Sequence, residues 1–130
     1  MPRKRSLVLT DHELRLMEVL WEKRRATVSE VTAGLTRPLL AYNTVLSTLR
    51  TLEQKGYVAH KEIGRSFTYR PLVERDDAAK SAVNHVLARF FQNSPKALAV
   101  TLLDDVPLRE ADREQIRQLL ERKGKGKARP

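Results

Sequence analysis

At Gly56 the spacing of apolar residues changes from a helical period to a period of two, and the order of elements on either side leaves few folds open. Upstream, Thr10-x-x-Glu13 reads as a capping box, with Leu9 and Leu14 at the N′ and N4 positions of a hydrophobic staple, so a helix starts at Thr10. Leu14, Met17, Leu20 and Trp21 form its apolar stripe, and its end is expected near Lys23 to Arg25. A second box, Thr27-x-x-Glu30, opens a short helix with Val28, Val31 and Leu35 on its buried side, stopped by Gly34 and the Arg37-Pro38 step. A third helix, about Tyr42 to Lys55, buries Val45, Leu49 and Leu52, and Gly56 supplies its left-handed C′ residue. Beyond it Tyr57, Ala59, Lys61 and Ile63 alternate with Val58, His60 and Glu62. Gly64-Arg65-Ser66 then turns the chain into Phe67, Tyr69 and Pro71, which alternate with Thr68 and Arg70. Two helices, a third helix and a hairpin in this order spell a winged helix-turn-helix.

The outer face of the third helix is unusual. Asn43, Ser47, Arg50 and Gln54 follow one another at helical spacing, flanked by Thr44 and Thr51, where a solvated helix is more often laced with opposite charges. Short hydrogen-bonding groups and a guanidinium match the donor and acceptor patterns of major-groove base edges. Asn43, Thr44, Ser47 and Arg50 are therefore expected to read bases, while Tyr42, Thr51, Lys61 on the hairpin stem and Arg65 at its tip contact the DNA backbone. The plainer alternative is a polar helix face and a turn arginine that touch only water.

The charge favours a polyanionic partner. The chain carries a formal net charge of +9, with an isoelectric point near 10.3. Residues 1–73 are net basic, 74–122 are close to neutral and 123–130 hold only basic charges, which suggests a nucleic-acid-binding half joined to a half with another task. With no cysteine, a disulfide framework, a thiolate metal site and a cysteine nucleophile are excluded together. No apolar run approaches the roughly 18 residues a spanning helix needs, and Met1-Pro2-Arg3-Lys4-Arg5 is not followed by a secretory core. The expectation is a cytoplasmic protein that does not insert in a membrane.

The second half shows its task in its apolar pattern. From about Asp76 to Gln92, Ala79, Val83, Val86, Leu87, Phe90 and Phe91 form a stripe. Ser94-Pro95 starts a short helix bearing Leu98, Leu102 and Leu103, and a last helix near Arg109 to Lys123 carries Ile116, Leu119 and Leu120. Three short helices bury little surface alone. Two copies wrapped together would bury more, so Val83, Leu87, Phe90, Phe91, Leu98, Leu102, Ile116, Leu119 and Leu120 are expected at a homodimer interface; the alternative is that they pack back on the winged helix. The organisation is thus a winged-helix DNA-binding domain over 1–73, a three-helix dimerisation domain over 74–122 and a disordered basic tail over 123–130.

An enzyme has little support. His12-Glu13 lacks the second histidine of a zinc-protease helix, Asp76-Asp77 and Asp104-Asp105 begin or end helices, and there is no phosphate-binding glycine loop or nucleophile elbow. His60 and His85 have no standard zinc spacing, so neither a metal nor a cofactor is expected.

Several separated blocks also carry a family resemblance: Leu9-Thr10-Asp11-His12-Glu13-Leu14, Met17-Glu18-Val19-Leu20-Trp21, the run from Ala41 to Val58, and Arg65-Ser66-Phe67-Thr68-Tyr69. In order and spacing they resemble the BlaI/MecI family of penicillinase repressors and their copper-responsive relatives, over about residues 7 to 122. The resemblance implies a dimeric bacterial repressor on an operator with inverted-repeat symmetry. Departures matter too. Where staphylococcal members have Lys, Arg and Arg, this chain has Asn43, Leu46 and Thr51, which implies an altered operator. The copper-sensing Cys-x-Cys pairs are absent. The Asn-Phe bond cut in the β-lactam branch aligns with Thr101-Leu102, so release by proteolysis there, with a membrane metalloprotease sensor as partner, is an implication of the family and not of the residues at that bond. Two readings stand side by side: a sequence-specific transcriptional repressor of double-stranded DNA, and a winged-helix architectural or protein-interaction module with only non-specific DNA affinity.

Overall fold

Both capping boxes close as expected. In a computed structural model that describes residues 8–105 and 107–126, Thr10 Oγ1 accepts from the Glu13 amide at 3.2 Å and Glu13 Oε1 accepts from the Thr10 amide at 2.9 Å. Helix α1 (Asp11–Lys23) follows, ending on Arg24 in the left-handed region. The Thr27 and Glu30 groups close the second box at 2.8 and 3.1 Å and start α2 (Val28–Ala33). Helix α3 (Tyr42–Lys55) ends on Gly56 at φ 91°, a conformation that costs a glycine nothing.

Strands β2 (Val58–Ile63) and β3 (Ser66–Pro71) form the hairpin, in antiparallel register from Val58 opposite Pro71 to Ile63 opposite Ser66. Ser66 is paired, so the turn is the two residues Gly64-Arg65 and not the three expected. Gly64 stands at φ 64°, as a two-residue turn with glycine in first place requires. A strand that the sequence did not announce, β1 (Ala26–Thr27), pairs with β3 through Tyr69 and Thr68, giving a three-stranded antiparallel sheet in the order β1-β3-β2.

The core lies where α1, α2 and α3 meet this sheet. Leu16, Met17, Leu20, Val31, Val45, Leu49, Leu52, Tyr57 and Tyr69 are buried there. The apolar stripe expected on α1 is shifted: Leu14 is 39% exposed, whereas Leu16 and Val19 are buried. The reason is that α1 packs against α2, α3 and β3 together and so buries a broader face than one stripe.

Three further helices follow: α4 (Arg75–Phe90), α5 (Pro95–Asp105) and α6 (Glu110–Gly126). Ser94 caps α5, its Oγ accepting from the Ala97 amide at 3.1 Å. The chain divides into two compact units, Met1–Val86 and Leu87–Pro130. The boundary expected at 73/74 therefore falls inside the first unit, and the packing explains why. Val73 and Ala78 belong to the buried core, and the Trp21 indole Nε1 donates to the Val73 carbonyl at 2.8 Å. Helix α6 also runs on to Gly126, into the basic segment 123–130 expected to lack structure; residues 127–130 lie outside the described residues.

Candidate nucleic-acid interface

Helix α3 turns Val45, Leu49 and Leu52 into the core and leaves Asn43, Ser47, Arg50, Thr51 and Gln54 exposed, with Thr44 half-buried beside them. Two of its hydroxyls are already oriented: Ser47 Oγ donates to the Thr44 carbonyl and Thr51 Oγ1 donates to the Ser47 carbonyl, each at 3.1 Å. Both oxygens keep acceptor capacity toward a partner. Tyr42, at the start of the helix, is about half exposed.

Three polar links fix the attitude of α3. At its C-terminal end Lys55 Nζ donates to Glu13 Oε1 at 2.8 Å and to the Val8 carbonyl at 3.3 Å. Glu13 is buried, so a single carboxylate serves both the α1 cap and this tie. Ahead of α3, Arg15 Nη2 donates to the Pro38 carbonyl at 2.6 Å. On the side of the hairpin, His60 Nδ1 lies 2.7 Å from Glu53 Oε1, and its ring stands 4.9 Å from that of Phe67 and 5.3 Å from that of Tyr69. Sequence reasoning assigned His60 no role beyond the strand; it joins the wing to the third helix. The Tyr69 hydroxyl is pushed above its ordinary value by burial and by the Glu53 carboxylate, with Arg50 opposing.

Charge separates into two sets. Arg24, Lys55 and Arg75 pair with Glu74, Glu13 and Glu18. Arg50, Lys61 and Arg65, like Arg25, Arg37 and Arg70, have no carboxylate within 4.0 Å among the described residues. Arg50 and Arg65 come together on a concavity of about 210 Å³, which Tyr42, Ser29 and Ser66 also line. Lys61 and Thr51 are exposed but do not line it. Ser29 and Ser66 were not foreseen, since nothing local to α2 announces that its first turn lies beside the hairpin tip.

Among the described residues no group of three or more histidines, cysteines or carboxylates could hold a metal ion, and no helix is long and apolar enough to cross a membrane. The apolar residues expected at a dimer interface are unevenly covered. Leu87, Phe91 and Leu98 are half-buried, whereas Val83, Phe90, Leu102, Ile116, Leu119 and Leu120 are exposed. Thr101 and Leu102 are both exposed within α5.

Comparison with known proteins identifies relatives of most of the chain and of its winged helix. The sequence profile of the family described as "Penicillinase repressor" matches residues 9–122. The chain is 25% identical to the penicillinase repressor of Bacillus licheniformis over 114 residues, 87% of this chain and 89% of that protein. It is 19% identical to the methicillin resistance regulatory protein MecI of Staphylococcus aureus, over 88% of this chain and 94% of that one. The solution structure of the DNA binding domain of the repressor BlaI matches with a TM-score of 0.51 at 29% identity, over 58% of this chain and 93% of that one.

Proposed function

The chain belongs to the penicillinase repressor family, a family of DNA-binding regulators and not of enzymes, and from that premise we propose that it is a sequence-specific transcriptional repressor acting as a homodimer on an inverted-repeat operator. One observation carries the reading. The exposed side of α3 offers Asn43 and Ser47 with Thr44 beside them, while Arg50, Lys61 and Arg65, none with a carboxylate within 4.0 Å among the described residues, lie on the same helix and its hairpin. An architectural binder needs the charge but not the base-edge chemistry. Asn43, Thr44 and Ser47 enter the major groove, and Tyr42, Lys61 and Arg65 touch phosphates; Thr51, its hydroxyl turned to the Ser47 carbonyl, is a weaker backbone ligand.

The exposed apolar residues of α4, α5 and α6 support the dimer, because Phe90, Leu102 and Leu120 would otherwise present their side chains to water. Release by proteolysis is part of the proposal. The Thr101-Leu102 bond lies inside α5, so a protease, a membrane metalloprotease in this reading, acts on a locally unfolded helix. The protein works in the cytoplasm. Competition band shifts with a selected duplex against unrelated DNA test the core of this reading. Asn43→Ala is expected to reduce the preference by roughly 1 to 3 kcal/mol, and a wild-type chain with no preference between the two duplexes would refute it.

A further inference from the structure

We propose that Arg50 does not read a base edge but joins Arg65 in seating one DNA phosphate between α3 and the wing tip. The inference rests on the DNA-binding reading above and deepens it.

The concavity of about 210 Å³ is lined by the two arginines together with Tyr42, Ser29 and Ser66, which carry hydroxyls, and by no carboxylate among the described residues. Other arginine-bearing clefts among the described residues are lined by carboxylates as well: Glu18 and Glu22 with Arg15 and Arg37, Glu18 with Arg75, Glu110 and Glu114 with Arg113 and Arg117, and Asp104 and Asp105 with Arg113. The seat at α3 thus has two arginines and hydroxyl-bearing residues, with no carboxylate among its described lining residues. That suits a phosphodiester, whose single negative charge is shared by two acceptor oxygens that can take charge-assisted hydrogen bonds.

Position along the helix agrees. Arg50 lies about 10 Å beyond Asn43 at the rise of an α-helix, and base edges are met by the N-terminal residues of a recognition helix while the backbone runs past its flanks. Arg50 also lines one concavity with Arg65, Ser66 and Phe67 of the hairpin, which puts it on the side of the helix toward the wing. A phosphate gripped from both α3 and the β2–β3 turn would fix the wing and the recognition helix on the duplex as one body, and would leave base reading to Asn43, Thr44 and Ser47.

The test uses the full chain and a duplex that it selects from a random pool. Single backbone phosphates of the duplex are replaced one at a time by neutral methylphosphonates. One position is expected at which neutralisation weakens binding by the wild type but has no further effect on Arg50→Ala or on Arg65→Ala. Arg50→Ala is also expected to weaken selected and unrelated DNA by the same factor and to lower the slope of log K against log salt by about one. The proposal is overturned if Arg50→Ala lowers the preference for the selected duplex by roughly tenfold with the salt slope unchanged, the mark of a base reader. It is equally overturned if wild type and variants lose affinity alike at every position. Failure of the underlying reading looks different: no duplex is selected, or Asn43→Ala leaves the preference intact.

Discussion

The unit through Val86 and the unit from Leu87 onward are both built mainly from helices with apolar stripes, yet they differ in where those stripes end up. In the first, three helices and a sheet enclose one another, and Leu16, Leu49 and Tyr69 are buried. In the second, no residue whose burial is described is buried; Phe90 remains 70% and Leu120 69% exposed. A periodic apolar pattern therefore marks a face that needs a partner without saying whether that partner is in the same chain. The first unit finds its partner internally because a sheet closes over α1 and α3. The second has short helices only, and the proposed homodimer is the partner it lacks.

Cutting the chain after Thr101 should produce the largest effect that separates the two units. The cut removes α6 and the end of α5, with Ile116, Leu119 and Leu120. Sedimentation is expected to show a monomer at micromolar concentration, and operator affinity is expected to fall by roughly 100-fold or more, as the second half-site contact becomes intermolecular. Unfolding followed by the single tryptophan, Trp21 in the first unit, should be nearly unchanged. A fragment that stays dimeric and binds as tightly as the full chain would show that the second unit is not the assembly element, and that cleavage at Thr101-Leu102 is not the switch.

Next in size is Leu49→Ala, which empties a fully buried site on α3 and is expected to cost about 2 to 5 kcal/mol in denaturant unfolding followed by Trp21. Leu120→Ala is the control from the other unit. It should leave the Trp21 transition in place and weaken association instead. If Leu120→Ala lowers the stability of the first unit as Leu49→Ala does, the division between a self-sufficient and a dependent unit fails.

What could be foreseen divides along the same line. Capping and turn chemistry are local, so the two Thr-x-x-Glu boxes, the Gly56 stop and the Ser94-Pro95 start were all legible in the residues themselves. The phase of α1 was not. Leu14 heads a stripe in the sequence, but the approach of α2, α3 and β3 from several sides decides that Leu16 and Val19 are buried instead. Strand β1 is two residues long and exists only because β3 has an edge to offer, which no local pattern records. The same holds at the interface. Asn43, Thr44, Ser47 and Arg50 could be picked out on one helix, whereas the approach of Ser29 to the hairpin tip and the link from His60 to Glu53 depend on chain distant in sequence.

Glu13→Gln tests how far a buried charge holds the first unit together. The substitution keeps the shape but removes the charge that Lys55 meets at 2.8 Å, and weakens the acceptor of the Thr10 amide. A loss of about 1 to 3 kcal/mol is expected in the same unfolding measurement. Glu114→Gln on α6, where the carboxylate meets Arg117 at the surface, should change stability by less than about 0.5 kcal/mol. Equal effects from the two would mean that burial does not distinguish the ion pairs of the two units.

The smallest effect concerns the place where α4 leaves the winged helix. Arg24 grips Glu74 with two hydrogen bonds, at 3.0 and 2.8 Å, and both side chains are more than half exposed. The hydrogen bonds from Arg24 hold the Glu74 carboxyl below its ordinary value of 4.5; desolvation opposes them, and the charge of Arg24 adds a lesser lowering effect. A carboxyl that is harder to protonate in the folded chain than in the unfolded one stabilises the fold at any pH above that ordinary value. The contribution then disappears as pH falls through the depressed folded value, where both states are protonated. Glu74→Gln should therefore lower the unfolding midpoint slightly at neutral pH, less so in high salt, and not at all in acid. A loss as large as that of Leu49→Ala, persisting in salt, would mean that the Arg24–Glu74 pair and not the buried Val73 and Ala78 fixes the start of α4 to the first unit.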